Sequence, residues 1–62
     1  SLSESEIYDA MILINHNNEK ITISKLAKSL ECSTRTIYRN MNNELKKEKE
    51  LLNQQLWKQK KK

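Results

Sequence analysis

An all-α fold of three helices, the last of them extended, is what this sequence predicts, and three observations carry that expectation. Glycine and proline are both absent from the 62 residues, which removes the usual residues of primed hairpin turns, phosphate-cradling loops and β-bulges. Apolar residues recur at the spacings of three, four and seven that line one side of a helix. Ser3, Thr22 and Ser33 each stand just before such a run, where a side-chain oxygen can cap the first helical turn.

The first helix is expected over residues 4–16. Ser3 and Glu6 have the spacing of a capping box, and early acids suit the positive end of the helix dipole. Ile7, Ala10, Met11 and Ile14 form its inward stripe, with Tyr8 and Leu13 on the flanks. Asn17-Asn18-Glu19-Lys20 is a polar connection without periodicity, after which Ile21 packs as the chain turns. Thr22 caps a second helix over residues 23–30, with Ile23, Leu26, Ala27 and Leu30 inward. Glu31-Cys32-Ser33 is then a tight turn. Glutamate stands there where a glycine is often found, because the backbone favours positive φ; either this turn takes another conformation or it stores a small strain.

The third helix starts at Thr34, and KKEKELLNQQLWKQ after Leu45 keeps strong helix formers, so one rod over residues 34–57 is expected, ending in a basic disordered tail over 58–62. Leu45, Leu52 and Leu56 continue the inward stripe, with Leu51 and Trp57 beside it. Lys49 breaks the heptad, and the pattern is too short to specify a coiled coil, although Leu45, Leu51, Leu52, Leu56 and Trp57 offer a surface through which two copies would pair.

Size and composition narrow the classes of function. A chain this short is at most one domain and hides only about 60% of its unfolded surface, so its core is marginal. One cysteine forms no internal disulfide, and no Cys/His set has zinc-ligand spacing. Added stability would come from dimerisation, from DNA or from a larger parent chain. No apolar run approaches the roughly 18 residues of a membrane span, and no charged-then-apolar stretch resembles a signal peptide, so a reducing cytoplasm is the expected setting. His16 has no partner at catalytic spacing, and Cys32 falls where a small buried apolar residue is wanted. No catalytic residue, metal ligand or cofactor is therefore assigned.

Charge is unevenly spread. Residues 1–19 hold Glu4, Glu6, Asp9 and Glu19 with no lysine or arginine, whereas all 12 basic residues lie from Lys20 onward. The net charge of +4 thus understates the field at the basic end, and such a field speeds encounter with a polyanion. With Ile37 as reference, Met41 and Leu45 fall within about 80° of it, while Arg35, Arg39, Asn42 and Lys46 cluster between about 140° and 200°. Any amphipathic helix shows a solvated charged face. Combined with a preceding short helix, a small Ala27 at the crossing and a Ser33 cap, the charged row reads as a helix-turn-helix presenting cations and amides to a DNA duplex.

The segment LAKSLECSTRTIYRNMNNEL resembles the helix-turn-helix of bacterial and phage regulators, especially the DeoR/biotin-repressor-like and sigma-region-4-like groups, through Leu26, Ala27, Leu30, Cys32, Ser33, Thr36, Ile37, Arg39 and Met41. The resemblance implies that Thr34 to Lys46 enters the major groove, with Ser33, Thr34 and Thr36 near phosphates and Arg35, Tyr38, Arg39 and Asn42 near base edges. Asn43 and Lys46 join this set, and Lys25 and Lys28 on the helix that crosses the backbone are expected on phosphates. The lysine-rich region after Leu45 leaves no room for a two-stranded wing.

The expected function is therefore sequence-specific binding of double-stranded DNA without catalysis, as a transcription regulator. A lysine-, asparagine- and isoleucine-rich composition and small size point to a phage or mobile element. Two other readings stand beside it: a protein-interaction module of RNA-polymerase-binding or anti-repressor type, and the DNA-targeting domain of a larger recombinase, transposase, terminase or primase.

Overall fold

The computed structural model describes the backbone of residues 2–60 and the side chains of residues 2–56. It contains four helices: α1 (Glu4–His16), α2 (Ile23–Ser29), α3 (Thr34–Asn40) and α4 (Asn43–Lys60). No strand occurs among the described residues. α1 packs against both α2 and α4, and α3 packs on α2. The side chain of Trp57 and the end of the expected tail, Lys61 and Lys62, lie outside the described residues, and the backbone of α4 runs past Trp57 to Lys60.

Each of the first three helices begins on its expected cap. The Glu6 amide donates to Ser3 Oγ (3.2 Å) and the Ser3 amide donates to Glu6 Oε1 (3.0 Å), closing the capping box. These hydrogen bonds from Ser3 hold the Glu6 carboxyl below its ordinary pKa, because they stabilise the charged form. Thr22 Oγ1 accepts from the Lys25 amide at 3.1 Å, and Ser33 Oγ from the Thr36 amide at 3.2 Å. Ile7, Met11, Ile21, Leu26 and Ile37 are at most 1% exposed, and with Ala10, Ile14, Ala27, Met41 and Leu45 they form one cluster. Ile23, Leu30, Cys32 and Leu52 pack on its edge.

The long third helix is not formed. Its chain breaks at Met41, whose backbone is extended (φ −85°, ψ 99°), and restarts where Asn42 Oδ1 accepts from the Leu45 amide at 2.8 Å. Asn40 closes the other side of the break, its Nδ2 donating to the Thr36 carbonyl at 2.8 Å. Asparagine competes with the helix for backbone partners, so Asn40 and Asn42 on either side of Met41 end a helix that has no glycine or proline to stop it. The corner also has a packing reward, since it turns α4 back so that Leu45 and Leu56 are buried and Leu52 half-buried.

One side chain fastens α4 to the far side of the domain. Asn53 Oδ1 accepts from the Ile21 amide (2.8 Å) and Asn53 Nδ2 donates to the Ile21 carbonyl (3.1 Å), a two-point clasp on the connection that precedes α2. Asn15 Nδ2 adds a bond to the Leu52 carbonyl at 3.3 Å. Replacing Asn53 by alanine strands two part-buried backbone groups, so N53A is expected to lose about 1–3 kcal/mol of stability, read as a lower urea midpoint. An unchanged midpoint would show that the Asn53 clasp does not contribute to the docking of α4.

Candidate nucleic-acid interface

The connection between α2 and α3 is built from two interlocking local motifs. Beyond Ser29, the Cys32 amide donates to the Ala27 carbonyl at 2.9 Å and the Glu31 amide to the Lys28 carbonyl at 3.3 Å, the paired bonds of a Schellman motif. That motif needs a left-handed residue between the helix and its closing bond, and Glu31 supplies it at φ 56°. Of the two conformations open to the sequence, the turn takes the strained one. Cys32 then packs against the core edge, the apolar contact that accompanies such a cap. Ser33 follows at once as the α3 cap, so four residues, Leu30 to Ser33, separate two hydrogen-bonded helices. The same motif with an asparagine ends α1: Asn18 has φ 61° and the Glu19 amide reaches the Ile14 carbonyl at 3.2 Å.

This turn fixes which side of α3 faces outward. Ile37 is fully buried, and Arg35, Tyr38 and Arg39 are exposed, Tyr38 by 65%. At spacings of three and four they form one row along the outer face. No ion pair among the described residues engages either arginine, the single bridge being Lys25 Nζ to Glu19 Oε1 at 3.6 Å. Lys28, Ser33 and Thr34 are exposed beside the row, and Thr36 is half-buried with its hydroxyl 3.1 Å from Ser33 Oγ.

A family model for a helix-turn-helix domain, HTH_11, matches residues 7–48. The chain belongs to this family. It is a DNA-binding helix-turn-helix domain, and the matched segment runs from the first buried residue of α1 through the turn and α3 into α4. No curated protein and no solved structure gives a significant match.

The helix-turn-helix geometry redistributes the residues expected to touch DNA. Arg35, Tyr38 and Arg39 share α3 as the spacing implied. Asn42, Asn43 and Lys46 do not continue that row, because the break at Met41 puts them at the cap and first turn of α4. Asn42 is exposed, but its Oδ1 is held by the Leu45 amide. Pairing with an adenine edge uses the amide oxygen and nitrogen together, so Asn42 cannot read adenine without opening its own helix cap. Lys25 is available only in exchange for Glu19. The structure also places the residues expected to pair two copies through α4. Leu45 and Leu56 are buried within this chain and Leu52 partly so, leaving Leu51, 52% exposed, as the open one of the four leucines. Asn53, which the sequence reading passed over, has no signal in spacing, since its partner is backbone.

Two outcomes follow. Glycine at the left-handed position removes the strain of a Cβ there, and after allowing for its looser unfolded state E31G is expected to gain up to about 1 kcal/mol, a rise of a few degrees in Tm; a lower Tm would show that Glu31 makes a compensating contact. Removing the acid that holds Lys25 should strengthen DNA binding in E19Q by about two- to five-fold at low salt, an effect that fades as salt rises; unchanged affinity in a titration would place Lys25 away from the phosphates.

Proposed function

We propose that this domain binds double-stranded DNA in a sequence-specific manner, with α3 in the major groove and without catalysis, as the DNA-contacting part of a transcription regulator. The observation that supports this most is the pairing of a fully buried Ile37 with an uncommitted outer row of Arg35, Tyr38 and Arg39 on a helix held by a tight, capped turn. The arginines suit guanine edges and Tyr38 the thymine methyl or a neighbouring phosphate. Ser33, Thr34, Lys25 and Lys28 take phosphates flanking the groove, with Thr36 behind them. Asn42, through its free Nδ2, and Asn43 and Lys46 on the first turn of α4 take backbone oxygens further along rather than bases.

A role in a phage or mobile element, and action in the cytoplasm where such DNA is met, belong to the same proposal and draw on composition and size. An inverted-repeat operator with half-sites about 34 Å apart would require two copies. Pairing through α4 has Leu51 to offer among its described leucines, so stoichiometry is a quantity to measure alongside specificity. Attachment to RNA polymerase or to a larger recombinase-like chain would use the same α3 face for DNA.

Selection of bound sites from random DNA, with the mass of the complex, tests the reading. A defined motif of a few base pairs is expected, together with affinity that falls steeply with salt as counterions are released; recovery of no motif, or salt-independent binding, would remove it. Within that motif R39A is expected to lose about 1–3 kcal/mol for the selected site and to relax one position, whereas K25A weakens all sequences alike. Loss in neither variant would rule out this docking.

A further inference from the structure

A second surface of the molecule has the opposite character to α3. Near the N-terminal ends of α1 and α4 the two helices leave an open groove with buried Leu45 at its base and Tyr8 and Leu51 on its sides. Tyr8 is 40% and Leu51 52% exposed, so two large apolar side chains face water across the same depression. Its rim carries Glu4, Glu44 and Glu48 against Lys47, and Glu6 and Asp9 are exposed on the same helix α1. No residue of α2 or α3 lines it, so an occupant would leave Arg35, Tyr38 and Arg39 uncovered.

That rim disfavours two occupants. A polyanion meets three glutamates, and a second copy applied face to face would set the same glutamates against each other with one lysine each in return. We propose that the groove docks a positively charged amphipathic helix of a partner protein, which places an apolar side chain between Tyr8 and Leu51 and its lysines or arginines on Glu4, Glu44 and Glu48. Apolar anchors in a depression with complementary charge around it are the arrangement by which helices are held in grooves. The domain then carries a protein on one side and DNA on the other.

The test uses the whole 62-residue chain, isotope-labelled, titrated with a short leucine–lysine amphipathic peptide and with its leucine–glutamate counterpart. Saturable amide shifts confined to Tyr8, Glu44, Glu48 and Leu51 are expected with the lysine peptide and not with the glutamate one. Both L51S and the double variant E44K/E48K should weaken binding by about tenfold or more. The substituted side chains are exposed, and an unchanged thermal transition in both variants establishes that the fold is intact. Shifts centred elsewhere, equal binding of the two peptides, or a dimer in sedimentation that L51S dissolves would each overturn the proposal, the last by showing a second copy in the groove.

Discussion

The seating of Ile37 against α2 is the constraint on which the interface depends. A seven-residue helix has little stability of its own, because nucleation is unfavourable and few bonds follow it. It is held because Leu26 and Ile37 are both fully buried and Ala27 is small enough to let the helices approach. Filling that contact sets the rotation of α3 about its axis, and rotation decides which side chains face outward. Shaving Ile37 would leave a void as well as lose apolar burial, so the arginine row would lose its aim before the fold was lost.

Two polar devices complement this apolar seat. The turn closes α2 with a left-handed Glu31 and opens α3 with Ser33, so the carbonyls that end one helix and the amides that begin the next are both satisfied within a few residues. Strain at Glu31 is tolerated because Cys32 on its far side is packed into the core edge. At the opposite end, the Asn53 clasp on Ile21 ties α4 to the start of α2. The helix proposed to enter DNA is thus positioned through α2, and α2 is tied down at its start by Asn53 of α4.

What could be read from the sequence was whatever depends on neighbours a few residues apart. The three caps, the α1 stripe, the buried Leu26, Ala27 and Ile37 and the outward Arg35 and Arg39 all follow from spacing, and all stand as expected. The break at Met41 did not show, because reading for helix stops looks for glycine and proline, and two asparagines, Asn40 and Asn42, did the work instead through side-chain bonds that only the folded corner reveals. Spacing marked Leu45 and Leu56 as inward, but whether they close on this chain or on a second copy depends on the same corner, which turns α4 back so that both are buried within the chain. Asn53 was invisible because its partner, a backbone amide and carbonyl 32 residues away, leaves no trace in side-chain pattern.

The break also limits how much DNA the module reads. Seven helical residues span about 10 Å, and base pairs are stacked about 3.4 Å apart, so α3 lies along roughly three of them. Under the proposed docking, with Asn42 held in its cap, the base-reading set would be Arg35, Tyr38 and Arg39. At about 1–3 kcal/mol per mismatched pair, three positions discriminate well between neighbouring sites but recur far too often in a genome to define one. On that reading, specificity at that scale would need a second reading element beyond α3, such as another copy on the same site, a further segment of a longer chain or a protein carried in the proposed groove between α1 and α4. The short helix and the acidic groove then belong to one functional argument: a partner docked between α1 and α4 would add the reach that α3 lacks.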